Sequence, residues 1–257
     1  MEAPESSPKT HFQGWVDRKL SIARGLDRGE LGGSNSDAVL IVSALISCLS
    51  AFAWPRSDEQ DRDDRRRFVE AWTKLSPPAL GAHRVSIPLL IADLESDGRH
   101  EIAEKLPATQ RNAVAERLRS THRAFSALEE SREVTADDVD LSTDQVKEAT
   151  PELSTQEIRH FSYGNVFYSR VRSALVHEYR LTRSAQAYAF GREEPVPFYD
   201  NEAVNGFLRP NAAKFLRTIY FPTSWLGSLV RGIAEKVEPY VESGGLSRPG
   251  KWWLDGG

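Results

Sequence analysis

Within "YSRVRSALVHEYRL", residues 168–181, three arginines and one histidine share a stretch with helical spacing. A neutral imidazole can take or give a proton near pH 7. A guanidinium can hold a phosphate bidentately and stabilise the charge that builds up on it in a transition state. The combination suits phosphodiester cleavage without a metal, with an RNA 2′-hydroxyl as internal nucleophile. His177 would be the general acid/base. A helix turns about 100° per residue, so residues three, four and seven apart share a face. Tyr168, Val171, Leu175 and Tyr179 then form a packing stripe, and Arg170, Ser173, His177 and Arg180 a cationic one on the other side. Arg172 lies nearer the packed side. The same pattern also fits a solvated polar face, since charged helix surfaces are common. One helix brings one histidine, whereas such cleavage benefits from a separate acid and base; a symmetric dimer would supply the second copy.

The rest of the chain must position this helix. It has 257 residues, a net charge of −4 and ordinary globular proportions of apolar and charged residues, so it can bury a large core without staples. No global basic field marks it as a nucleic-acid binder, and any RNA contact must be local. A single cysteine, Cys48, excludes an internal disulfide, and its apolar surroundings predict an inert thiol. The sequence predicts a cytoplasmic protein with a disordered tail over 1–10, one domain over 11–246 and a C-terminal tail over 247–257. "AVLIVSALISCLSAFAWP", 38–55, nearly reaches bilayer-spanning length. Its serines and terminal Pro55 predict a core helix instead, and no membrane association.

Helical periodicity places Phe12, Trp15, Val16, Leu20, Ile22 and Leu26 on one face near the N-terminus, and Phe68, Val69, Trp72 and Leu75 inward in a third helix. "RDDRRR", 62–67, reads as a solvated, salt-bridged helix start. Shorter helices are expected over 87–106 and 109–130. The acidic stretch 129–157 reads as a solvated insertion with one weak helix. "AQAYAF", "VPFYD" and "RTIYF" predict a small β-meander, followed by a final helix with Trp225, Leu226, Leu229, Val230 and Ile233 inward. The tryptophans of "KWW", 251–253, offer base-stacking surfaces but are expected to clamp the tail onto the core.

Histidines 11, 83, 100, 122 and 160 lack paired metal spacing, so neither a metal nor another cofactor is expected. No phosphate loop, dinucleotide fingerprint or nucleophile elbow is present. No carboxylate stands isolated in an apolar setting, so no acid/base carboxylate is nominated.

"RSALVHEY", with Arg172 and His177 in an R-x4–6-H arrangement, resembles the HEPN superfamily (higher eukaryotes and prokaryotes nucleotide-binding domain). Arg170 satisfies the wider form of that spacing. "DAVLIVSALISCLSAFAW", "DRRRFVEAW" and "IYFPTSWLGSLV" are similar to segments of prokaryotic HEPN-like proteins. The resemblance implies a mainly α antiparallel bundle, here with the β-meander before the C-terminal helix, and a homodimer whose motif helices meet at a cleft. It implies a metal-independent endoribonuclease of a toxin or antiphage-defence system, with RNA as substrate and a possible antitoxin or other partner protein. His177, Arg172 and Arg170 would be catalytic; Ser173, Arg180 and Tyr179 would support them. Active members often carry Asn, Asp or His where this chain has Ser173. A catalytically inactive dimerisation or nucleotide-binding module, acting through a partner protein, is the alternative.

Overall fold

The computed structural model describes residues 10–55, 63–106, 134–178, 185–188, 196–204 and 214–255. Of the expected tail over 1–10 only Thr10 is among them, and the expected helix over 109–130 lies outside them. The fold is mainly helical with a small sheet.

Helix α1 (His11–Asp27) starts on a Thr10 cap. Its Val16 and Leu20 are buried, but Ile22, expected inward, is 41% exposed. Helix α2 (Asn35–Ala53) begins with a capping box in which Ser34 and Asp37 satisfy each other's backbone amides. It packs against α1, α3 (Asp64–Lys74) and the final helix, Thr223–Val237. Val39, Val42, Ile46 and Leu49 of α2 are fully buried. It is also long and apolar enough to cross a bilayer. Cys48 is half-buried, and burial pushes its thiol up, away from the reactive thiolate.

The α3 start is salt-bridged as the charges suggested, with Asp64 and Arg66 exposed, but it is not solvated throughout. Arg67 is 2% exposed, held by Asp64 at 2.5 Å and by the Trp54 carbonyl at 3.3 Å. Arg65 donates to Asn165 Oδ1 at 2.7 Å, and Arg66 pairs with Asp63 and with Asp255. Long arginines carry their stems along apolar surface, so a charge run can be half core.

A 3₁₀ turn (Pro78–Leu80) leads to α4 (Ile87–Ser96) and α5 (His100–Ala103). The acidic segment, expected to be a solvated insertion, is structured from 134 onward. It supplies β1 (Val134–Thr135), α6 (Ala136–Val139), α7 (Thr143–Ala149) and α8 (Thr155–Arg159). Val139, Val146, Leu153 and Ile158 are buried. Such single apolar residues among acids escape a charge-pattern reading but anchor short helices, two of them started by capping boxes at Ser142 and Ser154.

After α8 a continuous helix runs over 163–178: α9 (Tyr163–Val166), a π segment (Phe167–Arg172) and α10 (Ser173–Glu178). Strands β2 (Ala185–Tyr188), β3 (Phe198–Val204) and β4 (Lys214–Pro222) precede α11 (Thr223–Val237). They do not form a meander. β4 is central, antiparallel to β3 and parallel to β2, giving the order β1-β3-β4-β2. Ile219 and Phe221 of β4 are fully buried, which suits a strand flanked on both sides. The core behind it is aromatic: Phe167 lies 5.0 Å from Trp72 and 5.4 Å from Phe221, ring centroid to centroid. Gly164 lets α9 press on Trp72, since a Cβ there would come within 2.8 Å of its ring.

The C-terminal stretch is no loose tail. Trp252 packs edge-on against Trp54, and Trp253 and Leu254 close over Val69 of α3. Trp253 N–H donates to Glu70 at 2.6 Å, and the Arg159 guanidinium sits 4.4 Å over the Trp253 ring.

Candidate functional site

The motif helix departs from the ideal wheel because it is π-wound just where the arginines stand. Side-chain hydroxyls compete for its backbone carbonyls. Ser169 Oγ donates to the Asn165 carbonyl at 2.6 Å, and Ser173 donates both its amide and its hydroxyl to the Tyr168 carbonyl, five residues back. A π turn inserts an extra residue and rotates the helix before it relative to the helix after it. The expected packing stripe nevertheless holds through Tyr168, Val171 and Leu175. Phe167, Val171, Ala174 and Leu175 are buried, Tyr168 is half-buried, and Val176 and His177 are exposed.

The two arginines differ in what holds them. Arg172 Nε donates to Ser47 Oγ of α2 at 3.2 Å, and its guanidinium lies 4.6 Å over the Tyr168 ring. Tyr168 in turn packs edge-on against Phe68. Arg172 thus belongs to the joint between motif helix, α2 and α3. Arg170 is half-buried; burial pulls its guanidinium below the ordinary value, opposed by the charge of Asp93. Ser173, expected to orient groups in a cleft, has its hydroxyl on the Tyr168 carbonyl instead. Tyr179 and Arg180 lie outside the described residues. His160 is exposed, with Nδ1 3.3 Å from the Gln156 carbonyl.

A second polar centre lies where the sequence offered none. Asp140 follows α6 and is buried. Its Oδ1 accepts the Ile87 amide, the first N–H of α4, at 2.9 Å. Its Oδ2 accepts the Tyr163 hydroxyl of α9 and, at 2.6 Å, the Tyr199 hydroxyl of β3. Ser86 Oγ stands 2.8 Å from the Tyr199 oxygen. Burial pushes the Asp140 carboxyl up to about 7, against the three hydrogen bonds and the nearby charge of Arg84. Asp140 itself borders a hollow of about 370 Å³, lined also by His83, Arg84, Ser142 and Gln145. Its members come from segments up to 113 residues apart, so no local spacing could reveal them.

No family model, curated protein or solved structure matches the chain. Its chemistry therefore rests on its own residues. Among the described residues, no three His, Cys, Asp or Glu side chains are grouped so as to hold a metal ion.

Proposed function

We propose that the protein is a metal-independent endoribonuclease of the HEPN type, an antiparallel helical bundle acting as a homodimer on RNA. The observation that carries this reading is Arg170: a guanidinium partly stripped of water, on the same continuous helix as an exposed histidine. A desolvated cation attracts a phosphate more strongly than a fully hydrated one. Arg170 is then the phosphate ligand and His177 the proton carrier, with the second histidine from the other copy. The 2′-oxygen attacks the adjacent phosphorus as its proton leaves to a base. The 5′-oxygen departs with a proton from an acid, and the products are a 2′,3′-cyclic phosphate and a free 5′-hydroxyl. Arg172, the motif arginine in the shorter spacing, supports the helix rather than the phosphate.

That same engagement of Arg172 with Ser47 and Tyr168 favours a second reading, a non-enzymatic HEPN-type module that works through a partner protein. Incubation of end-labelled total RNA in EDTA with wild type and with His177→Ala separates the two. Cleavage by wild type alone, leaving cyclic phosphate ends, supports the enzyme. Intact RNA with both proteins supports the module, and cleavage that requires added divalent ion overturns the proposed chemistry.

A further inference from the structure

Arg65, in the first turn of α3, is anchored by one edge of its guanidinium. Its Nε donates to Asn165 Oδ1 at 2.7 Å. Asn165 is 1% exposed, and its Nδ2 donates to the His160 carbonyl at 2.7 Å, so one orientation of the amide serves both neighbours. The two Nη groups of Arg65 have no bonding partner among the described residues. The acids described around it are engaged by other arginines: Asp63 by Arg66 and Arg248, Asp64 by Arg67, and Asp255 by Arg66. Arg65 is bonded to a neutral amide and, among the described residues, to no carboxylate.

Asn165 also ties Arg65 to the motif helix. A π segment takes more residues per turn than an α-helix, so across 163–177, part α and part π, side chains four apart stay in line. Burial follows that period. Tyr163, Phe167, Val171 and Leu175 are buried, whereas Ser169 and His177 are exposed and Ser173 is half-buried. Asn165, Ser169, Ser173 and His177 therefore form one outer line, about 18 Å long by helical rise. Arg65 is bonded at its start, and His177 stands at its end.

We infer that Arg65 binds a phosphate of single-stranded RNA away from the cleaved one, so that the strand lies along this outer line. The inference rests on the endoribonuclease reading and adds a subsite to it. The Nη pair presents a fork that matches two oxygens of one phosphate. Holding Nε in place beforehand lowers the ordering cost of that contact. Between its two ends the line carries only serines, whose hydroxyls bond to backbone carbonyls, so Arg65 supplies the charge that holds the strand there. A strand too short to span the line cannot use it.

The test compares an RNA dinucleotide, with a single phosphodiester, and an unstructured RNA decanucleotide as substrates of wild type and Arg65→Gln in EDTA. The preference for the decanucleotide, as the ratio of the two kcat/KM values, should be about tenfold smaller in the variant. Each ratio is taken within one preparation, so any loss of folded protein cancels from it. The same ratio in both proteins overturns the inference. If Arg65→Gln cleaves neither substrate, Arg65→Lys takes its place. A point charge without the fork should lower the ratio about threefold, and an unchanged ratio or no cleavage overturns the contact. If wild type itself cleaves neither substrate, the endoribonuclease reading fails, and fluorescence anisotropy with the labelled decanucleotide decides the contact. Binding about tenfold weaker in Arg65→Gln, with a salt slope lower by about 0.7, supports it. Equal affinity, or no binding by wild type, overturns it.

Discussion

The motif helix and the Asp140 junction are both polar sites in an apolar fold, but they are built in opposite ways. Arg170, Arg172 and His177 are neighbours in sequence, and the helix spreads them from a half-buried root to an exposed end. Arg84, Ser86, Asp140, Tyr163 and Tyr199 are scattered along the chain, and folding gathers them around one carboxylate. A site made by local spacing can keep its side chains accessible. One made by tertiary closure has its donors and acceptors already spent on one another. The first suits chemistry on a ligand; the second suits holding the fold.

That division can be broken by experiment. His177→Ala should lower RNA cleavage by about a thousandfold, as loss of a general acid/base can, and leave the urea midpoint unchanged because the ring is exposed. Equal loss of stability would make His177 a structural residue. Asp140→Ala should do the reverse. Two tyrosine hydroxyls and the Ile87 amide lose their acceptor, which should cost about 3 kcal/mol at pH 5 by urea unfolding. A loss near zero would show the junction to be dispensable.

The arginines sharpen the contrast within one helix. Arg170→Ala should reduce cleavage about a hundredfold. Arg172→Ala should cost about 1 kcal/mol of stability through its serine bond and its place over Tyr168, with a cleavage change under roughly tenfold. Reversed effects would return the phosphate to Arg172. The smallest effect is expected at the surface pair of Glu157 and Arg99, 2.9 Å apart. The Ser154 hydroxyl and amide, then Arg99, hold the Glu157 carboxyl down at about 2. Its contribution is present above the ordinary carboxylate range and is lost as pH falls toward that value. Glu157→Gln keeps the capping acceptor and should cost only about 0.5 kcal/mol at neutral pH, given its exposure.

Legibility in the sequence divides along the same line. The inward faces of α3 and α11 are readable because Phe68, Trp72, Trp225, Leu229 and Ile233 recur at helical period, and all are buried. The strands are recognisable as strands, but not their pairing: nothing local in "AQAY" or "RTIYF" says that β2 runs parallel to β4. The packing stripe over 168–175 is readable, with Val171 and Leu175 buried and Tyr168 packed on the core, but the π turn within it is not; the hydroxyls of Ser169 and Ser173 bond to its backbone carbonyls. Asp140 is inconspicuous among the other acids of "TADDVD", because its enclosure depends on Tyr163 and Tyr199 arriving from elsewhere.

The closure of residues 252–254 over α3 has a consequence in time. Trp253 bonds to Glu70 across 183 residues. Translation adds about 5–20 residues per second, so roughly 10–35 s separate the synthesis of the two. Through that interval Val69 has neither Trp253 nor Leu254 to cover it, and the Glu70 carboxylate lacks its amide donor. Helix α1 also packs against α11, which is made late. The nascent chain therefore carries its unfinished first helices on the ribosome for most of its synthesis, and those are the surfaces a chaperone would meet.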